Sequence, residues 1–330
     1  MPRFGAYIAG TGSAVPERKL TNTDLEKMVD TTDDWIFQRT GMRERRICGP
    51  NDSTGSLALA AAQRALENSH TSAQDIDLII VATLTPEMQT PATSCLLQHM
   101  LGIKRHIGCF DLNAACSGFV YAVATAAQFI QTGDYKTVLV VGAETLSRVV
   151  DYTDRNTCIL FGDGAGAVVM KASDDPKRGL QAFHLGANGE GAQLITIPGG
   201  GSKHPACANT IAEKMHYLKM NGREVYKFAV HQMTEAIGKC MTDCGLTAAD
   251  VRLVVPHQVN QRIIDSATEK MGFPKDKVFV NIHHYGNTSA ASVPLALDEA
   301  HRANRYQQGD WLIMVGFGAG LTWAGATLRM

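Results

Sequence analysis

The chain has 330 residues, 45% of them hydrophobic and 19% charged, with 31 Lys and Arg against 32 Asp and Glu for a formal charge of −1. That profile is enough apolar side chain for a sizeable core and excludes a disordered chain. The balanced charge excludes a global field drawing nucleic acid or an anionic membrane.

The opening MPRFGAYIAGTG lacks a basic region followed by an apolar run, so no signal peptide is expected. The eight scattered cysteines are then expected as free thiols in a reducing cytosol, not as a disulfide framework. AGTGSAVPE carries a Gly-x-Gly, yet Pro16 and the lack of an acidic partner argue against a dinucleotide site. SLALAAAQRALENSH predicts a helix and DLIIVATL (77–84) a strand. The uncharged stretch from Leu112 to Gly133 holds Asn113, Ser117, Gln128 and Gln131 among small residues. It reads as a helix buried on all sides, not a membrane span.

KTVLVVGAE (136–144) and GAVVMKA (166–172) follow as strands, and KASDDPKRG then supplies charge, Pro and Gly at a boundary. FGDGAGA (161–167) lacks Lys-Ser/Thr and precedes a strand, so it is no phosphate loop. IPGGGSKHPACAN (197–209) reads as part of an inserted loop, and FAVHQMTEAIGKCMTDCG as a helix. RLVVPH (252–257), DWLIMVGF (310–317) and TWAGATLRM (322–330) complete the strands. Strands alternating with helices predict an α/β protein with largely parallel or mixed sheets. Cys240 and Cys244, with His204 and Cys207, match no zinc spacing, so no metal is expected.

The two halves resemble each other. SAQDIDLIIV (72–81) aligns with TAADVRLVVP (247–256), and FIQTGDYKTVLVVGAE (129–144) with RYQQGDWLIMVGFG (305–318), at nearly one offset. This predicts one duplicated unit, 1–175 and 176–330, with a loop insertion near 185–217. Equivalent elbows, NAACSGFVYAV and YGNTSAASVPLAL, should meet across a pseudo-two-fold axis, and they hold Cys116 and Asn287. A thiol at a helix amino terminus meets free N–H groups and the positive dipole end, which predicts a lowered pKa. Cys48, Cys95, Cys109 and Cys158 read instead as buried core residues. His257 ends the strand RLVVPH, facing the crevice where α/β sheets bind ligands. Cys, His, Asn in chain order is also the order of papain-like proteases, but no C-G-S-C-W surrounds Cys116.

NAACSGF, VPHQVNQRI, HHYGNTSAASVPLAL and TTDDWIFQRTGMRERR resemble signature segments of the β-ketoacyl-acyl-carrier-protein synthase III family, and the likeness runs from residue 5 to 330. The resemblance implies a thiolase-like, duplicated five-layer α-β-α-β-α fold with mixed sheets. It implies a cytoplasmic homodimer that starts type II fatty acid synthesis from acyl-CoA and malonyl-ACP. No cofactor is implied, since both thioesters are substrates.

By resemblance, Cys116 takes the acyl group, and His257 and Asn287 drive decarboxylation of malonyl-ACP. Thr31, Trp35, Arg39, Arg155, Gly222 and Asn260 resemble CoA contacts, with Trp35 and Arg39 clamping the adenine. Arg262, Lys227 and Lys270 resemble the basic patch that meets the carrier protein, weakened by Glu269. Phe317 belongs to the acyl pocket, and Ala319 stands in the oxyanion loop where most members have glycine. Thr90 replaces a phenylalanine common in acetyl-selective members, which implies a primer longer or more branched than acetyl. The alternatives are a relative priming a secondary metabolite, a cysteine-dependent acyl hydrolase, or a thiolase-fold protein that binds acyl-CoA without condensing.

Overall fold

A computed structural model describes residues 3–330. Nine strands form its main sheet: β1 (Gly5–Ala14), β2 (Leu78–Ala82), β3 (Gly108–Leu112), β4 (Thr137–Thr145), β5 (Asp163–Ser173), β6 (Gly179–Ala187), β7 (Val251–Pro256), β8 (Trp311–Gly318) and β9 (Thr322–Arg329). The principal helices are α1 (Thr54–Asn68), α2 (Thr93–Met100), α3 (Gly118–Thr132), α4 (Gly222–Asp243), α5 (Gln261–Lys270) and α6 (Ser292–Arg302). All six strands read from the sequence form. β1, β3 and β6 were not among them, because glycines and polar residues interrupt their apolar pattern.

The strand order is β7-β8-β9-β6-β1-β5-β4-β2-β3. Pairing senses repeat outward from the centre. In one arm β1–β5 and β5–β4 are antiparallel and β4–β2 is parallel; in the other β6–β9 and β9–β8 are antiparallel and β8–β7 is parallel. The parallel β2–β3 pair is echoed by a bridge between Val254 and Val278. A single register pair, Ala6 with Gly179, joins the arms. The aligned glycines of the repeat, Gly133 and Gly309, both take φ +91°.

Side-chain alternation along the strands builds the layers. Leu78, Ile80, Val138 and Val140 point to a central core, while Ile79, Val81, Leu139 and Val141 point to an outer one under α1. The other arm divides likewise: Leu312 and Met314 face the centre, Ile313 and Val315 face α4 and α5. α3 and α6 lie between the two arms, which gives five layers, α-β-α-β-α. That position explains α3's composition. Ala122, Ala126 and Ala127 are fully buried, because small side chains let a helix touch sheets on both sides. No helix among the described residues is long and apolar enough to cross a membrane.

A fourth cluster, with Leu20, Ile36, Leu146, Ile159 and Leu218, stands apart from these three. The inserted segment contributes to it. It is not structureless: Ile195–Thr196 pairs with Lys219–Met220, and Ala208–Ala212 is a short helix. All eight cysteines are free thiols. Cys48 and Cys158 are buried as expected, but Cys95 is exposed and Cys109 only half-buried, since α2 and β3 lie at the sheet's open edge.

Candidate active site

Cys116 occupies a 3-10 turn, Ala115–Ser117, just before α3. Its counterpart, Ser289–Ala291, precedes α6, and the two turns touch. Their backbones match closely. Ala115 (φ +47°) and Ser289 (φ +49°) both enter the left-handed region, and each N–H is held by an asparagine two residues earlier, Asn113 Oδ1 at 3.1 Å and Asn287 Oδ1 at 2.8 Å. The strict equivalent of Asn287 is therefore Asn113, and that of Cys116 is Ala290. Cys116 and Asn287 share equivalent elbows, as expected, but not equivalent positions.

A cavity of about 720 Å³ opens over this junction, lined by Cys116, His257, Asn287, Phe317, Gly318 and Ala319 among others. His257 is fully buried at the end of β7. Its Nδ1 lies 2.6 Å from Ser292 Oγ, while its Nε2 is buried with no partner. Burial holds the imidazole near 3, far below its usual range, so the ring is neutral. Phe317 meets it edge-on at 5.6 Å, keeping that side apolar. The Asn287 Oδ1 is taken by the Ser289 N–H, which leaves the amide nitrogen as the free donor end.

The thiol shifts against expectation. Burial pushes Cys116 up to about 12, with the Glu144 carboxylate adding to the rise and the Ser289 hydroxyl opposing it. Desolvation in this apolar site outweighs what one helix terminus supplies.

The loop after Phe317 packs directly on the nucleophile turn. A Cβ on Gly318 would sit 2.5 Å from the Cys116 nitrogen, so only glycine fits there. The left-handed residues of this loop are Gly320 (φ +75°) and Leu321 (φ +44°), not Ala319, so alanine is tolerated at 319. Thr322 Oγ1 donates to the Ala114 or Ala319 carbonyl and meets Ser117 Oγ at 2.8 Å, tying the two loops together.

A second cavity of about 980 Å³ shares Met220, Val225, Val259 and Asn287 with the first. The two cavities therefore adjoin, and only the first is lined by Cys116. Trp35 and Arg39, Gly222, Asn260, Arg262 and Lys227 line the second. Guanidiniums lie over the Trp35 ring from Arg155 at 4.4 Å and from Arg39 at 5.0 Å. Asn260 is committed to the protein: its Oδ1 accepts from the Arg262 N–H and its Nδ2 donates to the Arg39 carbonyl, each at 2.9 Å. Lys227 pairs with Glu224 at 2.9 Å. Thr31, Lys270 and Thr90 line neither cavity, and Thr90 is exposed.

Comparison with known proteins agrees with this architecture. The 3-oxoacyl-[acyl-carrier-protein] synthase III family matches residues 110–189, and its C-terminal family matches 241–330. A β-ketoacyl-[acyl-carrier-protein] synthase III of Desulfitobacterium hafniense is 52% identical over 322 residues, covering 98% of this chain and 97% of that one. The chain belongs to the β-ketoacyl-acyl-carrier-protein synthase III family.

The crystal structure of 3-oxoacyl-[acyl-carrier-protein] synthase III from Aquifex aeolicus superposes with a TM-score of 0.91 at 46% identity, covering 99% and 100% of the two chains. The priming β-ketosynthase of the R1128 polyketide pathway superposes at 0.92 with 36% identity, covering 100% and 97%. The fold is thus thiolase-like. Within this family member, sequence reasoning missed Ser289, Ser292, Gly318 and Glu144 as parts of the site. Both serines stand inside the quoted segment HHYGNTSAASVPLAL, but their partners lie far away in the chain.

Proposed function

We propose that the chain condenses acyl-CoA with malonyl-ACP, releasing CO2 and CoA and giving a 3-oxoacyl-ACP two carbons longer, the first condensation of type II fatty acid synthesis. The observation that carries this reading is the neutral His257, its free Nε2 facing the cavity that Cys116 and Asn287 also line. Cys116 is the nucleophile. It displaces CoA from the acyl thioester and keeps the acyl group. Loss of CO2 from malonyl-ACP leaves an enolate, whose oxygen takes hydrogen bonds from His257 Nε2–H and Asn287 Nδ2–H. Two neutral donors in a dry pocket stabilise that charge, where a carboxylate would repel it. The carbanion attacks the acyl-Cys116 carbonyl, whose oxyanion is met by N–H groups at Cys116 and Ala319.

The second cavity takes CoA, with Trp35, Arg39 and Arg155 on the adenine, Gly222 and Asn260 along it, and Thr31 just ahead of the helix Asp33–Thr40 that carries Trp35. Arg262, Lys227 and Lys270 present positive charge to the carrier protein. No cofactor enters the reaction. The halves 1–175 and 176–330 act as one duplicated unit, working in the cytoplasm as a homodimer. Support for the dimer comes from β3, the outermost strand, half-buried at all five positions, with Met88 and Met100 exposed nearby. Thr90 would then approach the partner's acyl pocket, admitting primers longer or more branched than acetyl.

Intact-mass analysis after adding acyl-CoA tests the reading. An adduct on Cys116 that persists in water and is consumed only with malonyl-ACP supports condensation. Rapid loss to water points to a hydrolase, and consumption by a different acceptor points to a secondary-metabolite relative. Acyl-CoA bound without an adduct points to a binding protein.

A further inference from the structure

Glu144, near the end of β4, is fully buried and takes part in no ion pair among the described residues. Its carboxylate is held by neutral donors: the Leu84 N–H at 3.2 Å, the Thr85 N–H at 3.2 Å and hydroxyl at 2.6 Å, and the Thr83 hydroxyl at 3.3 Å. The turn before α6 adds the Ala290 N–H and Ser289, whose Oγ lies 3.0 Å from Glu144 Oε1. A buried carboxylate without a cation is costly, and such groups cluster where chemistry is done. Burial, outweighing these donors, raises it to about 7.

Ser289 joins this carboxylate to the nucleophile. Both residues line the same cavity on turns that pack together, and the Ser289 hydroxyl acts to lower the Cys116 thiol. The serine has one hydrogen. While Glu144 is ionised, that hydrogen goes to Oε1, and the serine lone pairs can accept only from the thiol. Moving both protons one place gives a thiolate, a serine that donates to it, and a protonated Glu144. His257 does not compete for the thiol proton, because burial leaves its ring a very weak base.

We propose that Glu144 is the terminal proton acceptor of a two-step wire, Cys116 Sγ–H to Ser289 Oγ–H to Glu144 Oε1, which ionises the thiol as it attacks acyl-CoA. This rests on Cys116 being the nucleophile. The thiol proton passes to Ser289 and the serine proton to Glu144, as the new C–S bond forms at the acyl carbon. When the tetrahedral intermediate collapses, the bond to the CoA sulfur breaks. The proton held on Glu144 returns through Ser289 to the departing CoA thiolate. Thiol plus acyl-CoA thus becomes acyl-enzyme plus CoA, with no proton gained or lost. The thiol and Glu144 are the titrating groups of the wire; the elements packed on Glu144 present it only hydroxyls and backbone N–H groups.

Single-turnover acylation by acetyl-CoA and by a four-carbon acyl-CoA, followed by intact mass from about pH 5 to pH 9, tests the wire. In the unaltered protein the rate rises with pH as Glu144 ionises, then levels. Glu144→Gln is expected to slow acylation roughly 10- to 100-fold and to remove that rise. Ser289→Ala, which leaves the carboxylate in place, is expected to match it, and the double variant to be no slower than either. Glu144→Asp should restore part of the rise. Condensation from pre-acylated protein should fall less than acylation in each variant. An unchanged rate and pH profile in Glu144→Gln or Ser289→Ala overturns the wire. So does an equal loss in both half-reactions, which marks a purely structural group. If Glu144→Gln does not fold, Ser289→Ala decides. Acylation surviving in Cys116→Ala would instead overturn the nucleophile assignment.

Discussion

Ser292 Oγ lies 2.6 Å from His257 Nδ1, and this contact decides which ring nitrogen carries the proton. The decarboxylation proposed above needs a donor at Nε2, which requires the Ser292 hydroxyl to donate to Nδ1; the Gln258 N–H also points at that oxygen, at 3.4 Å. The ring is then the Nε2–H tautomer, with its donor aimed into the cavity. Ser292→Ala should release the tautomer and slow decarboxylation of malonyl-ACP on the order of 10-fold or more, sparing acylation of Cys116. Nitrogen NMR of labelled His257 reads the tautomer directly. A ring that stays Nε2–H in the variant, with an unchanged rate, contradicts the assignment.

The depressed His257 pKa has a definite pH signature. Because the folded imidazole holds no proton until about pH 3, decarboxylation by acylated protein should stay flat as pH falls through the ordinary histidine range. The stability consequence has the same sign. The unfolded histidine binds a proton below its ordinary value and the folded one does not, so this group's contribution is full above that value and declines as pH falls toward 3. A decarboxylation limb centred near 6.5 would refute the neutral, buried ring.

Gly318→Ala should strike the site through the backbone. The added methyl meets the Cys116 nitrogen at 2.5 Å and the Ala115 methyl at 3.0 Å, and neither belongs to a flexible chain end. Overpacking of this kind costs about 1–3 kcal/mol. The expected outcome is a Tm lower by several degrees and a marked fall in acylation. Ala319→Gly, where no left-handed backbone is required, should leave both nearly unchanged.

Trp35→Ala removes the ring on which Arg39 and Arg155 rest. Stacking of this sort is worth about 1 kcal/mol at a half-exposed site, so KM for acyl-CoA should rise about fivefold with kcat retained. Steady-state kinetics at saturating malonyl-ACP measures the split. An unaltered KM would remove Trp35 from the CoA site.

Much of this protein is legible along the chain, because local patterns carry it. Apolar β-branched runs mark six of the nine main strands, and the small-residue stretch after Cys116 marks a helix that two sheets enclose. The repeat points to the two elbows. Its offsets of 175 and 176 miss the elbow offset of 174 by one or two residues, because alignment of flanking strands does not fix the register of a turn, whereas the paired asparagines and left-handed residues do. β1, β3 and β6 escape because their partners, not their own composition, hold them in the sheet.

The linear chain carries the fold class, the duplication, and the trio Cys116, His257 and Asn287, since motif and periodicity are properties of neighbouring residues. Only folding sets the electrostatics of the trio. The thiol rises where a helix terminus alone would lower it, and the imidazole is neutral. Desolvation depends on everything that surrounds a group, and here those surroundings come from β4, the turn before α6 and the loop after β8, far apart in the chain. Folding brings Glu144 beside Ser289, and Gly318 against Cys116, at distances no linear pattern encodes.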